Sequence, residues 1–83
     1  MAAKKSKDQI ILEILKECLE GSASKTRIVY QVNLNFHTVE AHLDLLLEKE
    51  LLEAIPGDHM LYKTTPKGEE ALKCLNVIEK IFS

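Results

Sequence analysis

The chain has 83 residues, enough for one hydrophobic core and too few for two. Hydrophobic residues make up 46% and charged residues 29%, which excludes a disordered chain; aromatics are only 5% with no Trp, so aliphatic side chains must fill the core and helix-on-helix packing is favoured over a sandwich. A net charge of −2 and a pI near 5.9 exclude the strongly basic balance of a general nucleic-acid binder.

In chain order, residues 1–6 read as a flexible basic arm carrying Lys4 and Lys5, and the folded domain is expected over 7–83. "MAAKKSKD" has no apolar stretch behind its lysines and no run approaches about 18 apolar residues, so neither a secretory signal nor a membrane span is expected and the location should be cytoplasmic. Ser6 with Gln9 fits a capping box, and Ile10, Ile11, Ile14, Leu15, Cys18 and Leu19 recur at helical spacing. Gly21 stands where a left-handed C′ residue belongs, so the first helix should run from about Lys7 to Glu20. "SAS" is too short for an independent strand but can pair with a hairpin edge. Ser24 caps a second helix over Lys25 to about Val32, with Ile28, Val29 and Val32 inward.

"NLN" breaks that helix. Asn33 suits left-handed backbone, Leu34 plugs the corner, and Asn35 caps a third helix from Phe36 to about Lys49. Phe36, Val39, Leu43, Leu46 and Leu47 fall within one arc of about 100° and form its buried face, with His37, Thr38, Ala41 and Leu45 opposite. "LLEAI" and "MLYKT" flank Pro56-Gly57, which suits the centre of a type II turn, so a β-hairpin is expected. Thr65-Pro66 opens a last helix over about 66–82, its Glu69 and Glu70 placed well for the helix dipole. Helix, helix, turn, helix, hairpin, helix is the order of a winged helix-turn-helix, mainly α with a small β-hairpin wing.

"SKTRIVYQVNLNF", "LLLEKELL" and "LYKTTPKG" resemble the small archaeal winged helix-turn-helix proteins over roughly residues 8 to 82. That resemblance implies a transcriptional regulator, related to chromatin-type DNA binders that dimerise through their last helix. The sequence departs from the pattern twice. Glu50 stands where the family has Gly at the end of the third helix, and a left-handed Glu costs roughly 1 kcal/mol, so that helix should end differently. The third helix is also acidic where related reading helices are basic.

Charge is unevenly placed. Residues 1–33 carry six Lys/Arg against four Asp/Glu, 34–55 one against five, and 56–83 four against four. Glu40, Asp44 and Glu48 fall on one edge of the third helix. Base readers sit near the start of such a helix, where His37, Thr38 and Ala41 lie, with Asn35 and His42 adjacent. Phosphate contacts are expected from Lys25 and Arg27 at the start of the second helix and from Lys63 on the wing. The last helix spreads apolar residues over about 220°, more than one domain surface needs, and 71, 75, 78, 82 has the 4-3-4 spacing of a helix–helix seam. Ala71, Cys74, Leu75, Ile78, Ile81 and Phe82 are therefore the expected homodimer interface.

His37 and His42 lie about 140° apart and cannot share an ion, and His59 is on the wing tip, so no metal or other cofactor is expected. Cys18 and Cys74 are in no CxxC and read as reduced thiols. No constellation for catalysis is present. The sequence thus points to a sequence-specific regulator that binds double-stranded DNA as a homodimer, with the third helix in the major groove. The alternative is a protein-binding module that docks through the acidic edge and Leu45.

Overall fold

The computed structural model describes residues 6–82, excepting the side chains of Glu79 and Phe82, so Lys4 and Lys5 of the basic arm and the contacts of Phe82 lie outside the described residues. The elements are α1 (Lys7–Glu17), β1 (Ala23–Ser24), α2 (Lys25–Val32), α3 (Phe36–Glu48), β2 (Leu52–Ile55), β3 (Leu61–Thr64) and α4 (Pro66–Phe82). The three strands form one antiparallel sheet in the order β1-β3-β2, so the "SAS" segment does add itself to the hairpin edge.

Local chemistry starts each of the first three helices. The hydroxyls of Ser6 and Ser24 and the Asn35 amide oxygen accept from the backbone N–H of Gln9, Arg27 and Thr38 at 3.1, 3.3 and 2.7 Å. Each satisfies a donor that has no partner within its helix. Asn33 closes α2 in left-handed backbone, as expected.

The helix ends depart from the sequence reading in two places. α1 stops at Glu17 rather than near Glu20, and Gly21 is not left-handed. The reason is tertiary. The N–H of Thr64 donates to the Cys18 carbonyl at 3.0 Å and its hydroxyl to the Leu15 carbonyl at 2.8 Å, so the end of β3 caps the last turn and no glycine is required. α3 ends with Glu50 in left-handed backbone at φ 62° despite its side chain. Leu51 N–H bonds to the Leu46 carbonyl and Glu50 N–H to the Leu47 carbonyl, the two bonds of a Schellman motif. The Thr65 hydroxyl then donates to the Glu50 carbonyl at 2.6 Å while accepting from Gly68 N–H at 3.0 Å. One side chain thereby fastens the exit of α3 to the entry of α4. A Cβ at Gly68 would run into the Leu51 carbonyl and crowd Thr64, so this junction admits only glycine without a shift.

The wing turn also differs. Pairing closes at Ile55↔Leu61, leaving a loop over residues 56–60, and Gly57 has no positive φ, so Pro56-Gly57 is not the type II turn expected. The register is held at the other end of the hairpin, where Leu52, Tyr62 and Thr64 are buried, and the loop takes what remains.

The core is aliphatic. Ile14, Leu15, Ile28, Val39, Leu43 and Leu46 are essentially inaccessible, with Cys18 and Val32 among them. α1 packs against both α2 and α4, which is why it also buries Leu12 outside the expected stripe. Among the described residues every buried side-chain nitrogen or oxygen has a partner. No helix among them is long and apolar enough to cross a membrane.

Candidate nucleic-acid interface

The turn from Asn33 to Asn35 sets α3 across α2 and leaves the start of α3 at the surface. His37 and Ala41 are exposed, and Thr38 is partly so. Two of the expected readers are otherwise engaged. The Asn35 amide oxygen is engaged in the helix cap, and His42 is partly buried with Nδ1 2.9 Å from the Thr38 carbonyl. A carbonyl only accepts, so Nδ1–H donates. His37, Thr38 and Ala41 are therefore the side chains of the set best placed to meet a base edge.

Phe36 departs from expectation. Helical spacing puts it on the buried face, but 49% of it is exposed. Its ring lies 6.0 Å from the Lys25 ammonium, within the range of a cation–π contact. One turn along α3, Glu40 Oε2 accepts from the same ammonium at 2.8 Å. Lys25 is thus held between an aromatic ring and a carboxylate of the neighbouring helix. The hydrogen bond to Glu40 is the main reason the Lys25 pKa is raised, and the same bond holds the Glu40 carboxyl below its ordinary value. The earliest acid of α3 is accordingly turned toward α2 and neutralised there.

Arg27 is held differently. Its Nε donates to Glu17 Oε2 at 2.9 Å, while the other oxygen of Glu17 accepts from Gln31 at 3.2 Å. Glu17 is largely covered and Arg27 is 69% exposed. Only Nε takes part in that bond, and with most of the side chain exposed the terminal nitrogens of the guanidinium are open to a further acceptor. Lys63 is exposed on β3, opposite Glu53 in the strand register. All three expected phosphate ligands therefore stand beside or across from an acid.

Sequence reasoning does not single out Tyr30. It is 83% exposed on α2, in the same surface groove as Arg27 and Gln31. The signal is there to be found, since at 100° per residue Tyr30 lies opposite Ile28 and Val32. Its hydroxyl can donate to a phosphate. Among the described residues no cluster of His, Cys, Asp and Glu is arranged to hold a metal ion.

The last helix presents a second surface. Ala71 and Leu75, expected in the seam, pack against the domain's own core. Cys74, Val77, Ile78 and Ile81 face outward, and Lys73, Cys74, Val77 and Ile78 line a shallow apolar groove. The open row is thus rotated from the 71-75-78-82 line and includes Val77, which the 4-3-4 spacing leaves out. The two lines differ because α1 takes Ala71, Leu72 and Leu75 for the interior.

The winged helix-turn-helix family model matches residues 4–83. An uncharacterized protein of Methanocaldococcus jannaschii is 36% identical over 81 residues, a match that takes in 98% of this chain and 36% of the relative, so the chain spans about a third of that protein's length. Among solved structures, Sso10a-2, a DNA-binding protein from Sulfolobus solfataricus, aligns with a TM-score of 0.85 at 26% identity, covering 93% of this chain and 81% of that one. The homodimeric winged helix-turn-helix DNA-binding domain of Mb0332 from Mycobacterium bovis aligns with a TM-score of 0.65 at 19% identity, covering 98% of this chain and 89% of that one.

Proposed function

The chain belongs to the winged helix-turn-helix family, and on that footing we propose that it is a sequence-specific DNA-binding transcriptional regulator working as a homodimer. α3 enters the major groove, and the β2–β3 hairpin lies alongside as the wing. The observation that carries this reading is the start of α3, where His37 and Ala41 are exposed and Thr38 partly so while Glu40 is drawn aside by Lys25. His and Thr can hydrogen-bond base edges and Ala can touch a thymine methyl. Arg27, largely exposed, and Lys63 are the phosphate ligands of this reading. The likeness to Sso10a-2, a DNA-binding protein, supports it.

Cys74, Val77, Ile78 and Ile81 supply the dimer seam, with Phe82 assigned to it from the sequence. An apolar row of this kind on a small domain is a surface to be covered, and the homodimeric Mb0332 domain has the same fold. The fold is typical of non-enzymatic regulators, and we assign no catalytic role.

A second reading has one observation in its favour. Asp44 and Glu48 are exposed along α3, and Leu45 beside them is only partly covered and is not packed on the core. That edge would suit a protein partner whose apolar surface covers Leu45. An electrophoretic shift on genomic fragments at two salt concentrations separates the two. DNA binding should weaken steeply with salt, whereas docking around Leu45 should not. No shift at either concentration would retire the regulator reading in favour of protein docking.

A further inference from the structure

The start of α2 carries two cations under different restraint. Arg27 is bonded to Glu17 through Nε alone, and most of its side chain is exposed. Lys25 has a single ammonium, and that ammonium is already bonded to Glu40 and set over the Phe36 ring. Phe36 and Glu40 are one turn apart on α3, so the reading helix itself provides the cradle. Both cations are ion-paired, but Arg27 is bonded through one of three guanidinium nitrogens, whereas the one nitrogen of Lys25 is the atom bonded to Glu40.

We propose that Glu40 is a specificity-determining residue that acts as an internal competitor for DNA phosphate, holding Lys25 against α3 so that general backbone affinity is reduced. The inference rests on the DNA-binding reading. A carboxylate offers Lys25 the same kind of charged oxygen that a phosphate offers. The pair is half-exposed on its acidic side, so the bond is weak enough to exchange. Exchange nevertheless leaves Glu40 unpaired beside a polyanion. Contacts to bare backbone therefore gain little from Lys25, and binding is left to depend more on the base-facing side chains of α3. Asp44, one turn further along, also contributes to the field at the ammonium but does not form the bond. This explains how an acid can lie early in a reading helix: its charge is directed at a lysine of its own domain.

The test is a cycle of four proteins: wild type, Glu40→Gln, Lys25→Met and the double variant. Methionine keeps an apolar stem on the Phe36 ring while removing the charge. Each protein is titrated against a short random-sequence duplex over a range of salt concentrations, with circular dichroism as the check on folding. Glu40→Gln should raise affinity several-fold and steepen the salt dependence by about 0.9 for each additional phosphate neutralised per subunit. In the Lys25→Met background the same substitution should leave the slope unchanged. An equal gain in both backgrounds would mean that Glu40 merely repels DNA, and would overturn the inference while leaving DNA binding intact. No gain in either background would overturn it as well. Failure of all four proteins to bind would remove the regulator reading itself, and the inference with it.

Discussion

α3 and α4 are both amphipathic helices that present an outer face to solvent, and they leave that face in opposite conditions. The outer edge of α3 is acidic, but its earliest acid is settled within the domain by Lys25. The outer row of α4 is apolar, with Val77, Ile78 and Ile81 each more than half exposed and nothing among the described residues to cover them. Exposed charge is ordinary on a domain surface, whereas a contiguous apolar row is not. α3 is therefore a finished surface that can be used as it stands, and α4 is an unfinished one that a second chain would complete.

The largest expected effect lies on the unfinished side. Ile78→Asp places an unpaired charge in the middle of the proposed seam and should convert dimer to monomer, as read by sedimentation. A wild type that is itself monomeric at concentrations of tens of micromolar would break the comparison. The two thiols sharpen it. Cys18 is buried and its pKa is pushed up to about 12 by burial and, to a lesser degree, by Glu17. It should resist alkylation at neutral pH until the protein unfolds. Cys74 is exposed and should react in the native monomer, more slowly as rising concentration closes the seam.

The junction between the two helices comes next. Gly68→Ala forces a methyl group into the Leu51 carbonyl and should destabilise the domain by about 3 kcal/mol, measured by urea unfolding. Glu50→Gly relieves a left-handed side chain at the end of α3 and should stabilise it by about 1 kcal/mol with DNA affinity unchanged. If Glu50→Gly alters DNA binding, the end of α3 belongs to the interface, and α3 is not finished in the sense used above.

The smallest effect concerns stability and acid. Glu40 has its carboxyl held low by Lys25, so the pair's contribution is complete above the ordinary carboxylate pKa and is lost as pH falls through the lowered one. Lys25, with its pKa raised, sets the upper limit, its contribution being lost only as pH rises through that raised value. Glu40→Gln should thus be slightly less stable than wild type near pH 7 and equal to it in strong acid. A difference that persists in acid would assign the effect to packing rather than to charge.

The sequence is most readable where the determining chemistry is local. Ser6, Ser24 and Asn35 sit within three residues of the N–H groups they satisfy, and Asn33 within the turn it makes, so the starts of the first three helices can be placed from residue type alone. It is least readable where a partner lies far along the chain. Thr64 caps α1 across 49 positions, which is why Gly21 is not the stop it resembles. Lys25 and Glu40 are 15 apart, and helical spacing gives no sign that they meet. The angle of Phe36 on the wheel points to the interior, but an aromatic at the first turn of a helix can lie over a neighbouring lysine stem instead. The rotated row on α4 follows from α1 having claimed Ala71 and Leu75, a choice between two apolar stripes that periodicity cannot make.

The decisive measurement is the salt dependence of wild-type binding to duplex DNA. With Arg27 and Lys63 from each of two subunits on phosphate, the logarithm of the affinity should fall with the logarithm of salt concentration at a slope of about −4. Binding that is absent at low salt, or present with a slope near zero, would contradict a DNA-facing α3 and leave its acidic edge as a docking site for protein.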